Sequence, residues 1–210
     1  MDGDESRIET LLRDGYRIDL NRIFSEAWRV FVANPGGFSV FTLIAAAASV
    51  VAWLTFSIVP VLGTILAGAL LTPLYAGFFL VAFRFLDGGS YEFMDFFKGY
   101  EQFTPIFLLG LISNALTTVG YFLLIVPGIY LNVAWIFGLP LLLTGRGDFW
   151  SALTMSMKVV NRGFISVFGL AMLLMIMNVA GAMLLGVGLL LTVPLSACAI
   201  AVAYRDVFGS

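Results

Sequence analysis

The polar residues that could act within the apolar part of this chain are few and only mildly polar. Asn114, Asn132 and Asn178 are the strongest candidates for a polar pathway across an apolar layer. Asparagine also forms hydrogen bonds between neighbouring helices, and we favour that structural role for all of them. The sequence has no histidine, so it lacks the commonest general base and the usual zinc ligand.

Prolines within predicted apolar helices form a second group of candidates. Pro73, Pro140 and Pro194 would each deprive the carbonyl four residues earlier of its helical partner. The freed carbonyls would be those of Ala69, Ile136 and Leu190. At membrane depth such a carbonyl needs water, a side chain or a ligand. The kinks could therefore surround one cavity or simply shape a packed bundle, and we favour the second interpretation.

Catalytic chemistry has little to use in this sequence. Charged residues are absent from the predicted spans, and the P-loop, HExxH and GxSxG patterns do not occur. The single cysteine, Cys198, allows no internal disulfide and is predicted to be an inert buried thiol. We predict no catalytic residue, no metal site and no cofactor. The enzymatic alternative is a lipid-modifying enzyme that combines Asn and Thr with an acid such as Asp95 or Asp148.

The distribution of charge predicts the elements that must position these residues. The chain is 60% hydrophobic and 11% charged, with a mean hydropathy of +1.01. Its charged residues leave three uninterrupted apolar runs, at 30–83, 102–145 and 163–204. A membrane span needs about 20 apolar residues, so each run can hold two spans and a turn. The predicted spans are 37–58, 61–83, 104–124, 128–144, 164–185 and 189–204.

An amphipathic segment precedes each apolar run. These segments, at 19–33, 93–101 and 148–162, are predicted to be helices that lie in the membrane interface. Their aromatic residues would contact lipid or a partner, or brace the spans against one another. The candidates for these contacts are Trp28, Phe31, Phe96, Phe97 and Trp150.

Recurring prolines predict an internal repeat. The same interval separates Pro60 from Pro127 and Pro73 from Pro140, and the run from Pro73 to Arg84 recurs from Pro194 to Arg205. We predict an all-α integral membrane protein whose six transmembrane helices form three hairpins. A cytoplasmic interfacial amphipathic helix precedes each hairpin. A tail at 1–18, with a capping box at 6–9, is followed by units at 19–90, 91–147 and 148–210 of one membrane domain.

The basic residues predict the orientation of the chain. All 11 Lys and Arg fall on one side of the predicted spans, which places both termini in the cytoplasm. The net charge of −2 gives no reason to expect a nucleic-acid partner.

The sequence resembles a group of bacterial inner-membrane proteins in residues 120–208. This group includes the YciC-like proteins and the membrane domain attached to some glycerophosphoryl diester phosphodiesterases. The resemblance rests on Pro127-Gly128-Ile129-Tyr130-Leu131, Trp135, Pro140, Lys158-Val159-Val160 and Tyr204-Arg205-Asp206-Val207-Phe208. It implies a multi-pass protein of the bacterial inner membrane. Phosphodiesterase activity is not implied, because that soluble domain is missing from this sequence.

Three functions remain open at this point. The first is a non-enzymatic membrane-organising protein, or an accessory subunit, with membrane lipids and other membrane-protein subunits as partners. The second is a small transporter or channel for a neutral or lipid-like solute. The third is the lipid-modifying enzyme.

Overall fold

Every regular element that the computed structural model describes is a helix. The description covers residues 10, 11, 13 and 15–209; the predicted capping box at 6–9 and most of the predicted tail lie outside it. The elements are α1 Leu20–Ala33, α2 Pro35–Phe56, α3 Pro60–Leu86, a 3₁₀ helix Phe93–Gln102, α4 Phe103–Leu123, α5 Ile125–Ala134, α6 Gly138–Leu143, α7 Phe149–Arg162, α8 Phe164–Met183 and α9 Leu189–Phe208.

Within residues 15–209, six helical segments are long and apolar enough to cross a membrane, which confirms the predicted number. They are Pro35–Phe56, Val61–Leu86, Phe93–Leu123, Ile125–Leu143, Phe164–Met183 and Leu189–Phe208. The third combines the 3₁₀ helix with α4, and the fourth combines α5 with α6. The chain is therefore a multi-pass membrane protein.

Side-chain caps determine where several helices begin. The Asp19 carboxylate accepts a hydrogen bond from the Arg22 backbone N–H, and Asn34 Oδ1 accepts one from the Gly37 N–H at 2.8 Å. Pro35 follows Asn34 in the first turn of α2, where a missing N–H costs nothing. Asp148 caps α7 by accepting a hydrogen bond from the Ser151 N–H at 2.9 Å. The hydrogen bonds from Ser151 hold the pKa of Asp148 below its usual range.

Helix α9 lies at the centre of the bundle. It contacts α1, α2, α3 and α8, and its buried positions include Ala197, Cys198, Ala199, Ala201 and Ala203. Small side chains let neighbouring helix backbones approach closely, which favours packing where lipid supplies no hydrophobic driving force. The last span therefore packs against both of the first two spans, which also contact each other.

An aromatic cluster joins α2, α3 and the 3₁₀ helix. The ring centroid of Phe41 lies 4.5 Å from that of Phe96 and 4.8 Å from that of Phe78, and Phe38 packs edge-on against Phe96 at 5.3 Å. All four rings are almost completely buried. Such aromatic pairs contribute about 0.5–1.5 kcal/mol each beyond the area they bury.

The second predicted interfacial segment packs along α3. It is a 3₁₀ helix, and it runs directly into α4. A Cβ atom added at Gly77 of α3 would overlap the Phe96 carbonyl, and one added at Gly99 would overlap the Pro73 carbonyl. The two glycines therefore permit backbone-to-backbone contact between this segment and the middle of α3.

The fourth span is broken, whereas the sequence predicted one helix kinked at Pro140. Helix α5 ends at Ala134 and α6 begins at Gly138, with turns at 135–137 between them. The break includes Ile136, the residue whose carbonyl Pro140 leaves without a helical partner. Pro73 and Pro194, in contrast, lie inside continuous helices.

The close approach at Gly77 predicts the effect of adding one methyl group. Gly77→Ala should destabilise the protein by about 1–3 kcal/mol, because the 3₁₀ helix must move away from α3. Gly169→Ala is the matched control, since a Cβ there meets nothing within 4 Å. Thermal unfolding in detergent, followed by tryptophan fluorescence, measures both variants. Equal melting temperatures for the two would contradict the tight contact.

Candidate functional site

The predicted polar residues form hydrogen bonds within the bundle. Asn114 Nδ2 donates to the Gly110 carbonyl at 2.7 Å, and its side chain lies against Gly68 of α3. Asn132 Nδ2 donates to the Tyr121 hydroxyl at 2.7 Å, which joins α5 to α4. The geometry of these side chains fits a structural role between helices.

Asn178 joins α8 to α9 in the same way. Its Nδ2 donates to the Leu174 carbonyl and to Ser196 Oγ, each at 2.8 Å. Its Oδ1 is buried and makes no hydrogen bond. The asparagine therefore connects the two helices of the last predicted hairpin.

The predicted prolines Pro73, Pro140 and Pro194 are all buried. Pro194 leaves the Leu190 carbonyl without a helical donor, and Ser39 Oγ of α2 donates to that carbonyl at 3.4 Å. None of the three prolines lines the cavity described below. Their geometry favours a packed bundle over a shared cavity.

Ser156 closes the break in the fourth span, a role that the sequence interpretation missed. Its hydroxyl donates to the Ala134 carbonyl at 2.7 Å and accepts from the Phe137 N–H at 3.2 Å. The side chain is fully buried. It thus supplies a donor and an acceptor to the backbone groups at the ends of α5 and α6. No spacing in the sequence indicates this contact, because α7 brings Ser156 from a separate segment.

The predicted interfacial aromatics divide into exposed and buried residues. Trp28 is 48% exposed and Trp150 is 52% exposed, so both can contact lipid or a partner. Phe97 is half-buried. Phe31 and Phe96 are buried in the core, so the predicted lipid or partner contact is wrong for these two rings. Their side of the amphipathic segments packs against other helices of the same chain.

A cavity of about 890 Å³ opens at the charged end of the bundle. It lies where α3, α6 and α9 end, beside the 3₁₀ helix and α7. Its charged lining residues, among those the structure describes, are Arg84, Asp87, Asp95, Lys98, Arg146 and Arg205. We call this space the basic cavity.

Ion pairs fix the charged walls of the basic cavity. The Asp95 carboxylate is 5% exposed and contacts Arg84 at 2.5 Å and Lys98 at 2.6 Å. The same carboxylate accepts a hydrogen bond from the Glu92 N–H at 2.9 Å, at the start of the 3₁₀ helix. Arg205 pairs with Asp87 across the cavity mouth. Asp95 therefore anchors the 3₁₀ helix to α3.

Arg146 approaches the end of α9 from the opposite wall. Its guanidinium lies 3.5 Å from the Phe208 carbonyl oxygen and 3.4 Å from that of Gly209. Outside the cavity, Arg22 of α1 forms an ion pair with Asp206 of α9. These contacts tie the C-terminal end of α9 to separate parts of the chain.

Part of the basic cavity can be recognised in the sequence. Arg84 and Arg205 end the two equivalent intervals that begin at Pro73 and Pro194, so their similarity is visible in the sequence. Their meeting with Lys98 and Arg146 depends on tertiary packing. Among the residues that the structure describes, no group of three or more His, Cys, Asp or Glu could hold a metal ion.

Comparisons of this chain with protein-family models, curated proteins and solved structures find no match. The resemblance to the YciC-like proteins therefore stays a prediction.

The hydrogen bonds of Ser156 predict a strong effect of removing its hydroxyl. Ser156→Ala should destabilise the protein by about 1–3 kcal/mol, because it leaves two buried backbone groups unpaired. Ser25→Ala is the control, since the exposed Ser25 hydroxyl donates within its own helix. Unfolding in detergent gives the comparison. If Ser156→Ala were as stable as Ser25→Ala, the hydrogen bonds of Ser156 would not be needed to stabilise the break in the fourth span.

Proposed function

We propose that this chain is a non-enzymatic multi-pass protein that organises the lipids of the bacterial inner membrane around it. The charged end, with both termini, lies at the cytoplasmic surface. The distribution of Lys and Arg supports this orientation. The bacterial location rests on the resemblance to the YciC-like proteins.

The exposed apolar turns at the uncharged end carry this proposal. Ile58 is 86% exposed, Val126 is 75% exposed and Leu185 is 96% exposed. Leaving such a side chain in water costs about 1.5–3 kcal/mol relative to an apolar environment. Turns that face a watery compartment do not usually accumulate this cost. We infer that these turns lie within the far leaflet.

The lengths of α8 and α9, which meet at the turn that contains Leu185, agree with this placement, whereas α3 is longer at 27 residues. Helix α8 has 20 residues, which corresponds to about 30 Å at the usual rise per residue. The hydrocarbon core of a bilayer is also about 30 Å thick. A charged end at headgroup depth therefore leaves little length for the opposite turns to emerge.

Helices α1 and α7 extend the proposal to the cytoplasmic surface. Each buries one face against the bundle, with Ile23 and Ala27 in α1 and Leu153 and Val160 in α7. Trp28 and Trp150 are exposed, and an indole ring suits the headgroup region. We propose that both helices lie in the interface. The threefold hairpin repeat belongs to this proposal, with the 3₁₀ helix as a divergent version of the same segment.

The geometry favours this function over the enzyme and the transporter. Asp95 accepts contacts from two cations and Asp148 caps α7, so both predicted acids have structural roles. A broken helix is common in transporters, but Ser156 satisfies the backbone at this break. An accessory subunit of a larger complex remains compatible with the same surfaces, and purification from the native membrane under mild conditions distinguishes it.

Cysteine labelling tests the position of the apolar turns. Val126→Cys and Val187→Cys should resist a membrane-impermeant maleimide from either side of intact membranes, because the turns lie within lipid. Ser90→Cys, in the exposed loop after α3, should react from the cytoplasmic side alone. The unsubstituted chain is the blank, since Cys198 is fully buried.

Labelling after unfolding in detergent confirms that each introduced thiol is present. Rapid labelling of the turn cysteines from the periplasmic side would place them in water and refute the proposal. Labelling of the turn cysteines from the cytoplasmic side alone would refute the proposed orientation of the chain.

A further inference from the structure

We propose that the basic cavity binds a phosphoryl group, carried by an anionic phospholipid of the cytoplasmic leaflet. This inference rests on the proposed function, because it requires the charged end to lie at headgroup depth. It adds a specific ligand class to the general lipid contact proposed above.

The charge of the lining favours an anion. Among the described lining residues, Arg84, Lys98, Arg146 and Arg205 outnumber the acids Asp87 and Asp95. Asp95 is shared by Arg84 and Lys98, so one carboxylate faces two cations. Both cations remain reachable, with their side chains 44% and 39% exposed. A ligand oxygen can therefore join the existing ion pairs.

Helix ends reduce this positive excess without cancelling it. The C-terminus of a full-length helix carries roughly half a negative unit charge, and the effect is confined to the last turn. Helices α3, α6 and α9 end at the cavity, but α6 has 6 residues. The Arg146 guanidinium also lies against the last carbonyls of α9. The combined effect is smaller than the excess of two positive charges in the lining.

The rest of the lining favours an amphiphilic ligand over a free ion. Apolar walls come from Leu80, Phe83, Leu141, Leu143, Met155 and the ring of Tyr204. A volume of about 890 Å³ is far larger than a single phosphate ion needs. Pockets for drug-sized ligands occupy about 300–1,000 Å³, so a headgroup with the beginning of its acyl chains fits this space. Basic pockets between helices on the cytoplasmic side are a known mode of anionic lipid recognition.

Binding of defined lipids to the purified full-length protein tests the assignment. The probes are phosphatidylglycerol, phosphatidylcholine and inorganic phosphate, each titrated into delipidated protein and followed by native mass spectrometry. The test variant is Lys98→Gln with Arg146→Gln, which keeps the Arg84–Asp95 pair. The control is Arg29→Gln with Lys158→Gln, because both residues are exposed, lie outside the lining and change the charge equally.

We expect phosphatidylglycerol to bind the unsubstituted protein and the control equally, and the test variant at least about tenfold more weakly, because two charge-assisted contacts are lost. Phosphatidylcholine should bind weakly to all of them. If the double variant unfolds, phosphatidylglycerol binding is measured on Lys98→Gln alone, and the melting temperature of that variant shows whether it is folded. A partial loss of phosphatidylglycerol binding in a folded single variant supports the site.

Three results would overturn the assignment. Equal phosphatidylglycerol binding by the test and control variants would reduce the effect to general surface charge. If phosphatidylcholine bound the unsubstituted protein as tightly as phosphatidylglycerol does, the cavity would have no preference for an anionic lipid. Inorganic phosphate that binds with the same affinity and the same dependence on Lys98 would make the ligand a soluble phosphate. None of these results changes the maleimide labelling of the apolar turns, so the proposed function can fail or stand separately.

Discussion

The requirement to keep charge out of an apolar layer shapes this chain more than any single contact. In the part of the chain that the structure describes, the spans keep charged side chains to one end, where ion pairs join Arg84 to Asp95, Arg205 to Asp87 and Arg22 to Asp206. Each pair joins segments that the helices alone would leave independent. The first two of these ion pairs lie in the walls of the basic cavity, so the cavity results from the way the charged end is held together.

Within the apolar layer, several hydroxyl groups are satisfied by their own helix, and the helices pack through small residues. Thr42, Thr72 and Ser196 each donate to the carbonyl four residues earlier, which removes the cost of a free hydroxyl in lipid. Gly77 and Gly99 then allow the 3₁₀ helix to contact α3 through its backbone.

The sequence predicted the spans well because charge-free length is a direct requirement of a membrane. Helix caps such as Asn34 with Pro35, and Asp148, involve only a few consecutive residues, so the local sequence is enough to indicate them. The burial of Phe31 and Phe96 was not predictable, because an amphipathic stripe packs equally well on lipid or on protein. The break at 135–137 and its closure by Ser156 depend on a contact between distant segments. The basic cavity has the same origin, since its cations come from four separate regions.

The central position of α9 has a consequence for biosynthesis. This helix contacts α1, α2 and α3, yet it leaves the ribosome after all three of them. The earlier spans must therefore wait in the membrane with their small-residue faces unmatched until translation of α9 is complete. The packing of α1, α2 and α3 is thus complete only when α9 joins them.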